Sequence, residues 1–171
     1  VPVGFHATKR WLLKIGEMFS CKEKAEAVIA CQEKVYLEKI EELKPLLAGK
    51  RIFMSTINTN VDWLLETADA IGMKFIKIVV SNYLHQDIKI TDHPEKYSID
   101  EEYDWTKIRK DIRNLRPDIV LSTYAEQENE GDYILDSTPL TPVVGFLSGI
   151  RVAERWVTLL KHCKKGEWMN D

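Results

Sequence analysis

The sequence has few of the features that mark specialised function classes. Its cysteines number three in 171 residues, Cys21, Cys31 and Cys163. They are scattered and form no C-x-x-C pair, which excludes a disulfide framework and argues against a structural zinc site. Reduced, partly buried thiols are expected, with cluster ligation by Cys21 or Cys31 as the alternative. No apolar run approaches the ~18 residues of a membrane span. The N-terminus lacks the charged-then-apolar layout of a signal peptide, so a cytoplasmic protein with no membrane partner is expected. The net charge of −3 leaves no basic surplus for nucleic acid. Internal repeats and low-complexity segments are absent. Glycine is missing from the loop Ser55-Thr56-Ile57-Asn58-Thr59-Asn60, where a dinucleotide-binding chain carries its glycine-rich fingerprint.

What is there reads as an α/β module. Hydrophobic content of 44% and charged content of 30% suit an ordinary globular domain with a real core. Thr8 reads as the N-cap of a helix over 8–19, with Trp11, Leu12, Ile15 and Phe19 at helical spacing. Ser20 then reads as the N-cap of a longer helix to about Leu47, ended at Gly49. From Lys50 the period changes. Strands are expected over Arg51–Ser55, Lys74–Val80, Asp118–Ser122 and Thr141–Gly145. Helices are expected over Val61–Ile71, from Tyr103 or Asp104 to Leu115, and over Ser148–Cys163. A long polar stretch, Ser81–Glu102, and a loop containing "AEQENEGDYILDSTPL" separate them. Strands alternating with helices predict a Rossmann-like three-layer αβα sandwich with a parallel sheet of about four strands. An N-terminal helical pair (1–48) packs on the α/β domain (49–171), one domain overall. The chain opens on Val1 and "VPVGFHATKRW", which reads as a piece of a longer or processed protein.

Open α/β sheets bind ligands beyond the C-terminal ends of their strands. Here that edge comprises Ser55–Asn60, Ser81–Asp92, Ser122–Asn129 and Gly145–Gly149. The helix after the first strand starts near Asn60, capped by Thr59 or Asn60, and its free N–H groups favour anions. One cap does not account for five polar residues in six, so the loop is a candidate ligand wall as well as a turn. His85 and His93, with Asp87, Asp92 and Glu95 near, are candidate metal or solvated loop residues; the spacing is not a recognised metal pattern. The acidic run Glu126, Glu128, Glu130 and Asp132 reads as a solvated face. No nucleophile motif or Ser/His/Asp order can be defended.

Several segments, in order and over nearly the whole chain, resemble the nitrogenase component 1 type proteins. "VPVGFHATKRWLLKIGEMF" resembles the entry to the last domain of that family. "AEAVIACQEKVYLEKIEELKPLLAGKRIFM" resembles its helix followed by L-x-G-K-R and a strand. "LLETADAIGMKFIKI", "RPDIVLSTY" and "TPVVGFLSGIRVAERW" resemble the later strand and helix signatures. The resemblance implies the third, C-terminal domain of a subunit built from three Rossmann-like domains. An iron–sulfur or related metal cluster lies elsewhere in the parent, none is bound by this domain alone, and an ATP-dependent iron protein supplies electrons. The partners implied are the other domains, a homologous second subunit and that reductase.

The resemblance also places Ser55, Thr56, Asn58 and Asn60, with Thr123 and Tyr124, along a cofactor or substrate cleft as hydrogen-bonding groups. No catalytic residue and no metal ligand is assigned; His85 is the one weak metal candidate. The glycines and arginine of the family's first loop, the lysine after its third strand and the histidine before its closing motif are all missing. The implied function is an oxidoreductase subunit other than a dinitrogen reductase, with the isolated domain inactive. A cofactor-assembly scaffold, a non-redox small-ligand or protein-interaction module, and a flavodoxin-like carrier are the alternatives.

Overall fold

The structure, a computed structural model, describes residues 2–57, 61–81, 91–123, 132–138 and 142–162. Its helices are α1 (Phe5–Met18), α2 (Lys22–Leu47), α3 (Asp62–Ile71), α4 (Trp105–Leu115) and α5 (Ser148–His162). Its strands are β1 (Arg51–Thr56), β2 (Lys74–Val80), β3 (Ser98–Ile99), β4 (Ile119–Ser122) and β5 (Ile134–Ser137), and Pro94–Lys96 form one 3-10 turn. No helix among the described residues is long and apolar enough to cross a membrane.

The five strands form one sheet in the order β3-β2-β1-β4-β5, with every pairing parallel. This is a Rossmann-like αβα sandwich, and β1 lies at its centre with all residues after Arg51 buried. Alternation along the strands divides the core. Ile52, Met54, Ile78, Ile119, Leu121 and Ile134 pack with buried residues of α1, α2, α3 and α5. Phe53, Val79 and Val120 pack with Ile108 and Ile112 of α4. Four helices therefore supply the first layer and one supplies the second. The N-terminal pair shares the larger core: Phe5 of α1 stacks on Tyr36 of α2 at 4.5 Å between ring centroids, and Ile40, Leu43 and Leu47 join the cluster containing Trp63 and Trp156.

The helix starts differ from the sequence expectation. Gly4, at φ 88, is the N-cap of α1, so Thr8 lies inside the helix, buried, with its N–H donating to Gly4 O. A Cβ at Gly4 would collide with Trp63, so the position requires glycine both for its backbone and for its neighbour. Ser20 sits between α1 and α2 in a left-handed conformation (φ 51), and Cys21 is the N-cap of α2. Val61, which makes no side-chain cap hydrogen bond, occupies the N-cap of α3 instead of Thr59 or Asn60. By contrast Asp104 caps α4 as expected, accepting from Lys107 N at 2.9 Å.

Three strand readings also differ, the first being β3, which lies within the stretch read as a polar connection and pairs with the end of β2. The short segment Ile134–Ser137, read as loop, is β5, paired with β4 from Ile119↔Ile134 to Ser122↔Ser137. Position 142 is a proline with no N–H to donate, and Val143 and Val144 are 54% and 53% exposed. Their segment is no strand; it makes a single bridge, Val3 to Gly145. Cys21 is half-buried, whereas Cys31 is exposed, contrary to the partly buried thiol expected there; neither is in a disulfide.

Candidate functional site

Strand ends at the C-terminal edge of the sheet carry a row of hydroxyls. β1 ends in Ser55 and Thr56, both 1% exposed, and Ser81 follows β2 at 4%. Ser122 ends β4 at 0%, Thr123 follows it, and Thr138 follows β5 at 3%. Backbone bonds lock these positions side by side. Ser81 N donates to Thr56 O (2.9 Å), Thr123 N to Ser55 O (3.1 Å) and Thr138 N to Ser122 O (3.1 Å). The parallel ladder thus continues one residue past the strands and fixes each hydroxyl to a rigid frame.

The side-chain oxygens of Ser81, Thr123 and Thr138 are buried and have no hydrogen-bond partner among the described residues. A buried, unsatisfied hydroxyl costs about 1–3 kcal/mol, and native proteins leave few of them. Three at the strand ends of one edge, after β2, β4 and β5, are a feature of the site, because packing alone would favour alanine or valine there.

Beside this row, β5 and α5 hold an ion pair. Asp136, 5% exposed, accepts from Arg155 Nη2 at 2.8 Å and from Ser137 N at 2.8 Å. A cavity of about 220 Å³ opens between Asp136, Ser137, Trp63, Val143 and Arg151. Its wall is fixed by Ser148 at the start of α5, whose Oγ donates to the carbonyls of Val143 or Gly145 and accepts from Gly4 N at 3.3 Å. Gly149 follows. A Cβ there would collide with the Thr67 hydroxyl, so glycine lets α5 rest against α3.

A second polar cluster anchors the segment before β3. Asp62, first residue of α3, accepts from Thr91 Oγ1 (2.6 Å), Asp92 N (2.7 Å) and Tyr97 OH (2.9 Å). Burial pushes the Tyr97 phenol up, and Asp62 adds to it. Burial likewise raises the neighbouring Glu66 carboxyl, against the opposing fields of His6, Arg10 and His93. Asp92 meets Arg10 at 3.4 Å, and His93 Nδ1 lies 3.7 Å from Glu95. Among the described residues no group of three or more His, Cys, Asp or Glu could hold a metal ion.

The candidates named from sequence divide accordingly. Ser55, Thr56 and Thr123 come together on adjacent strands. Asn58, Asn60, Tyr124, His85 and Asp87 lie outside the described residues. Sequence reasoning did not single out Ser81, Thr138 or the Asp136–Arg155 pair. Ser81 stood at the start of an edge segment already marked, and its position directly after a Val-Val strand end was the available signal. Thr138 and Asp136 were out of reach once their strand was read as loop.

The oxygens of this edge are hydrogen-bonding groups. Among its described residues there is no thiolate or imidazole, the groups that bind cluster iron, and Asp136 is held by Arg155. The described edge therefore does not fit a metal cluster as its own ligand set.

Fold and edge together define a Rossmann-like α/β domain with a polar C-terminal crevice. The model of the nitrogenase component 1 type oxidoreductase family matches residues 1–161, and the chain belongs to that family. Solved structures agree on the fold. Nitrogenase Cp1 at pH 6.5 matches with a TM-score of 0.72 at 12% identity, over 97% of this chain and 45% of that one. Nitrogenase Cp1 at pH 5 matches with a TM-score of 0.66 at 11% identity, over 92% of this chain and 39% of that one. The chain thus spans less than half the length of these solved chains. No curated protein matches the sequence.

Proposed function

We propose that the chain is the C-terminal domain of a nitrogenase-like oxidoreductase subunit and forms one wall of a substrate or metal-cluster cleft. In this reading the parent is not a dinitrogen reductase, and the cluster is ligated elsewhere in it. Residues 1–48 form a helical buttress on the α/β unit of 49–171. Ser55, Thr56 and Thr123, with Asn58, Asn60 and Tyr124, face the ligand as hydrogen-bond donors and acceptors. The observation that carries the proposal is the set of buried, unpartnered hydroxyls of Ser81, Thr123 and Thr138 at the strand ends. A bound organic ligand would satisfy them, and its exclusion of water would strengthen each bond. The parent works in the cytoplasm with a homologous second subunit and an ATP-dependent iron protein.

The test uses the full-length parent purified without oxygen. Iron analysis and visible absorption should show a cluster, and Ser81→Ala with Thr138→Val should lower turnover while folding and iron content hold. An iron-free, colourless parent would overturn the redox reading. It would leave a non-redox small-ligand or interaction module, which the donor set of the described edge also suits. Iron without turnover would point to a cofactor-assembly scaffold.

A further inference from the structure

A cavity lies away from the hydroxyl edge. It has a volume of about 660 Å³ and sits between the last turns of α4 and the entries of β4 and β5. Arg109, Arg113 and Arg116 line it, with Tyr133, Ile112 and Pro117 as its less polar floor. A second concavity of about 490 Å³ continues along α4 and adds Lys110 and Trp105 while sharing Arg109 and Arg113. In a chain of net charge −3 this concentration of cations is unexpected.

Among the described residues, two of the nearby acids are engaged elsewhere. Asp118 lines the cavity, but its carboxylate accepts from Lys50 Nζ (2.9 Å) and Arg51 N (2.8 Å). Asp111 of α4 is engaged by Lys77 at 2.6 Å and by the Tyr103 hydroxyl. Asp132 also lines the cavity, and it and Arg113 have partners of their own, so the uncompensated cations are Arg109 and Arg116. Arg109, Lys110 and Arg116 make no ion pair among the described residues. Complementing the negative end of the α4 dipole explains Arg113 in the last turn and Arg116 at the C-cap. It does not explain Arg109 and Lys110, which lie further back in the helix.

We infer that this cavity binds an organic polyanion: a ligand with two or more carboxylate or phosphate groups on a flat, partly apolar body. Guanidinium forks match both oxyanions in bidentate geometry. Arg109 and Arg113 stand one turn apart on the helix, with Cβ atoms about 5–6 Å from each other, and Arg116 extends the row at the helix end. A single small anion spans one of these positions; a ligand with several anionic groups spans the row. Tyr133, Ile112 and Pro117 would receive its body. The size of the cavity falls within the roughly 300–1,000 Å³ of small-molecule sites.

The probe is benzene-1,3,5-tricarboxylate, a planar aromatic with three carboxylates, titrated into the full chain by calorimetry and thermal shift. Pyrophosphate separates phosphate preference from carboxylate preference, and benzoate and sulfate at matched ionic strength are the controls. The tricarboxylate or pyrophosphate should bind saturably with one site and raise Tm, whereas benzoate should not. Arg109→Gln should weaken binding about tenfold, the loss of one charge-assisted hydrogen bond, without changing the Tm of the free chain. Lys14→Glu, on the distant α1, should leave binding unchanged. Equal responses to all anions, no response to either polyanion, or equal losses in Arg109→Gln and Lys14→Glu would each overturn the proposal.

Discussion

Where the central strands begin, Asp118 accepts a bond from Lys50 Nζ and another from Arg51 N, and Arg51 Nη1 reaches Arg116 O at 3.4 Å. Where the strands of the same sheet end, Ser81, Thr123 and Thr138 bury hydroxyls that no described residue satisfies. The two ends share one sheet and one register, yet one is paired and the other is left open. Paired polar groups tie β1 to β4 and serve stability. Unpaired buried groups cost stability, and a fold keeps them where a ligand or partner repays that cost. In the function proposed above, the entry end serves structure and the exit end recognition. The arginine cavity stands apart from that division, since it lies at the entry end, between the last turns of α4 and the entries of β4 and β5.

Gly149→Val gives the largest expected effect, and it strikes the exit end through its support. The new side chain would meet Thr67 and push α5 from α3, at a cost of about 3 kcal/mol. Chemical denaturation of the chain measures it. A loss comparable to that of an ordinary exposed helix substitution would show that α5 does not rest on α3 as described.

Asp118→Asn comes next and tests the paired end. It removes the ion pair with Lys50 and costs about 1 kcal/mol at neutral pH, since the pair is partly exposed. Burial works against the charged carboxylate, but Lys50 and the Arg51 N–H outweigh it and hold Asp118 below its ordinary value of 3.8. A depressed folded value means that the unfolded chain binds the proton first as pH falls. The contribution is therefore complete above about pH 5 and disappears as pH drops through 4 and below. Urea titrations across that range should show the wild type losing this increment while Asp118→Asn does not. Parallel acid profiles would mean that the carboxylate contributes nothing at the entry end.

Tyr97→Phe is smaller. It deletes one of three hydrogen bonds to Asp62 and should cost about 0.5–1.5 kcal/mol. The change should appear as faster hydrogen exchange in the segment 91–97 with the sheet unaffected. Uniform loss of protection would place Asp62 in the global core instead.

How far the sequence carried depends on the length of each element. The strand Lys74–Val80 and the helix at Leu115 were legible to the residue, because a strong apolar period is bounded by Gly72 and by Arg116-Pro117. β5 was not, because its four residues include Asp136 and follow an acidic run. Only pairing with β4 makes them a strand, and pairing partners are tertiary information. Val143 and Val144 gave the opposite error, since β-branched residues read as strand whether or not a sheet edge is there to take them. At the site, Ser55, Thr56 and Thr123 were reachable from strand-end logic. Ser81 and Thr138 required the register that sets them beside Thr56 and Ser122. The arginine cavity left no signal in the sequence. Arg109, Arg113 and Arg116 read as one exposed helix face, and only the entries of β4 and β5 turn that face into a concavity.

Thr138→Val is the smallest expected effect, and its sign matters more than its size. Valine has nearly the shape of threonine and replaces the hydroxyl with a methyl group. If Thr138 were an ordinary buried threonine with a partner, the change would cost about 1 kcal/mol. Its oxygen is buried and unpartnered, so the free chain should instead be unchanged or gain up to about 1 kcal/mol. Ser81→Ala should behave alike, and the double variant should add, because the two residues lie on opposite sides of β1 in the sheet. In the full parent the same variants should lose turnover or ligand affinity. A stabilising substitution that removes function is the behaviour of a group retained for recognition. A destabilising one would return Ser81 and Thr138 to the scaffold and erase the contrast between the two ends.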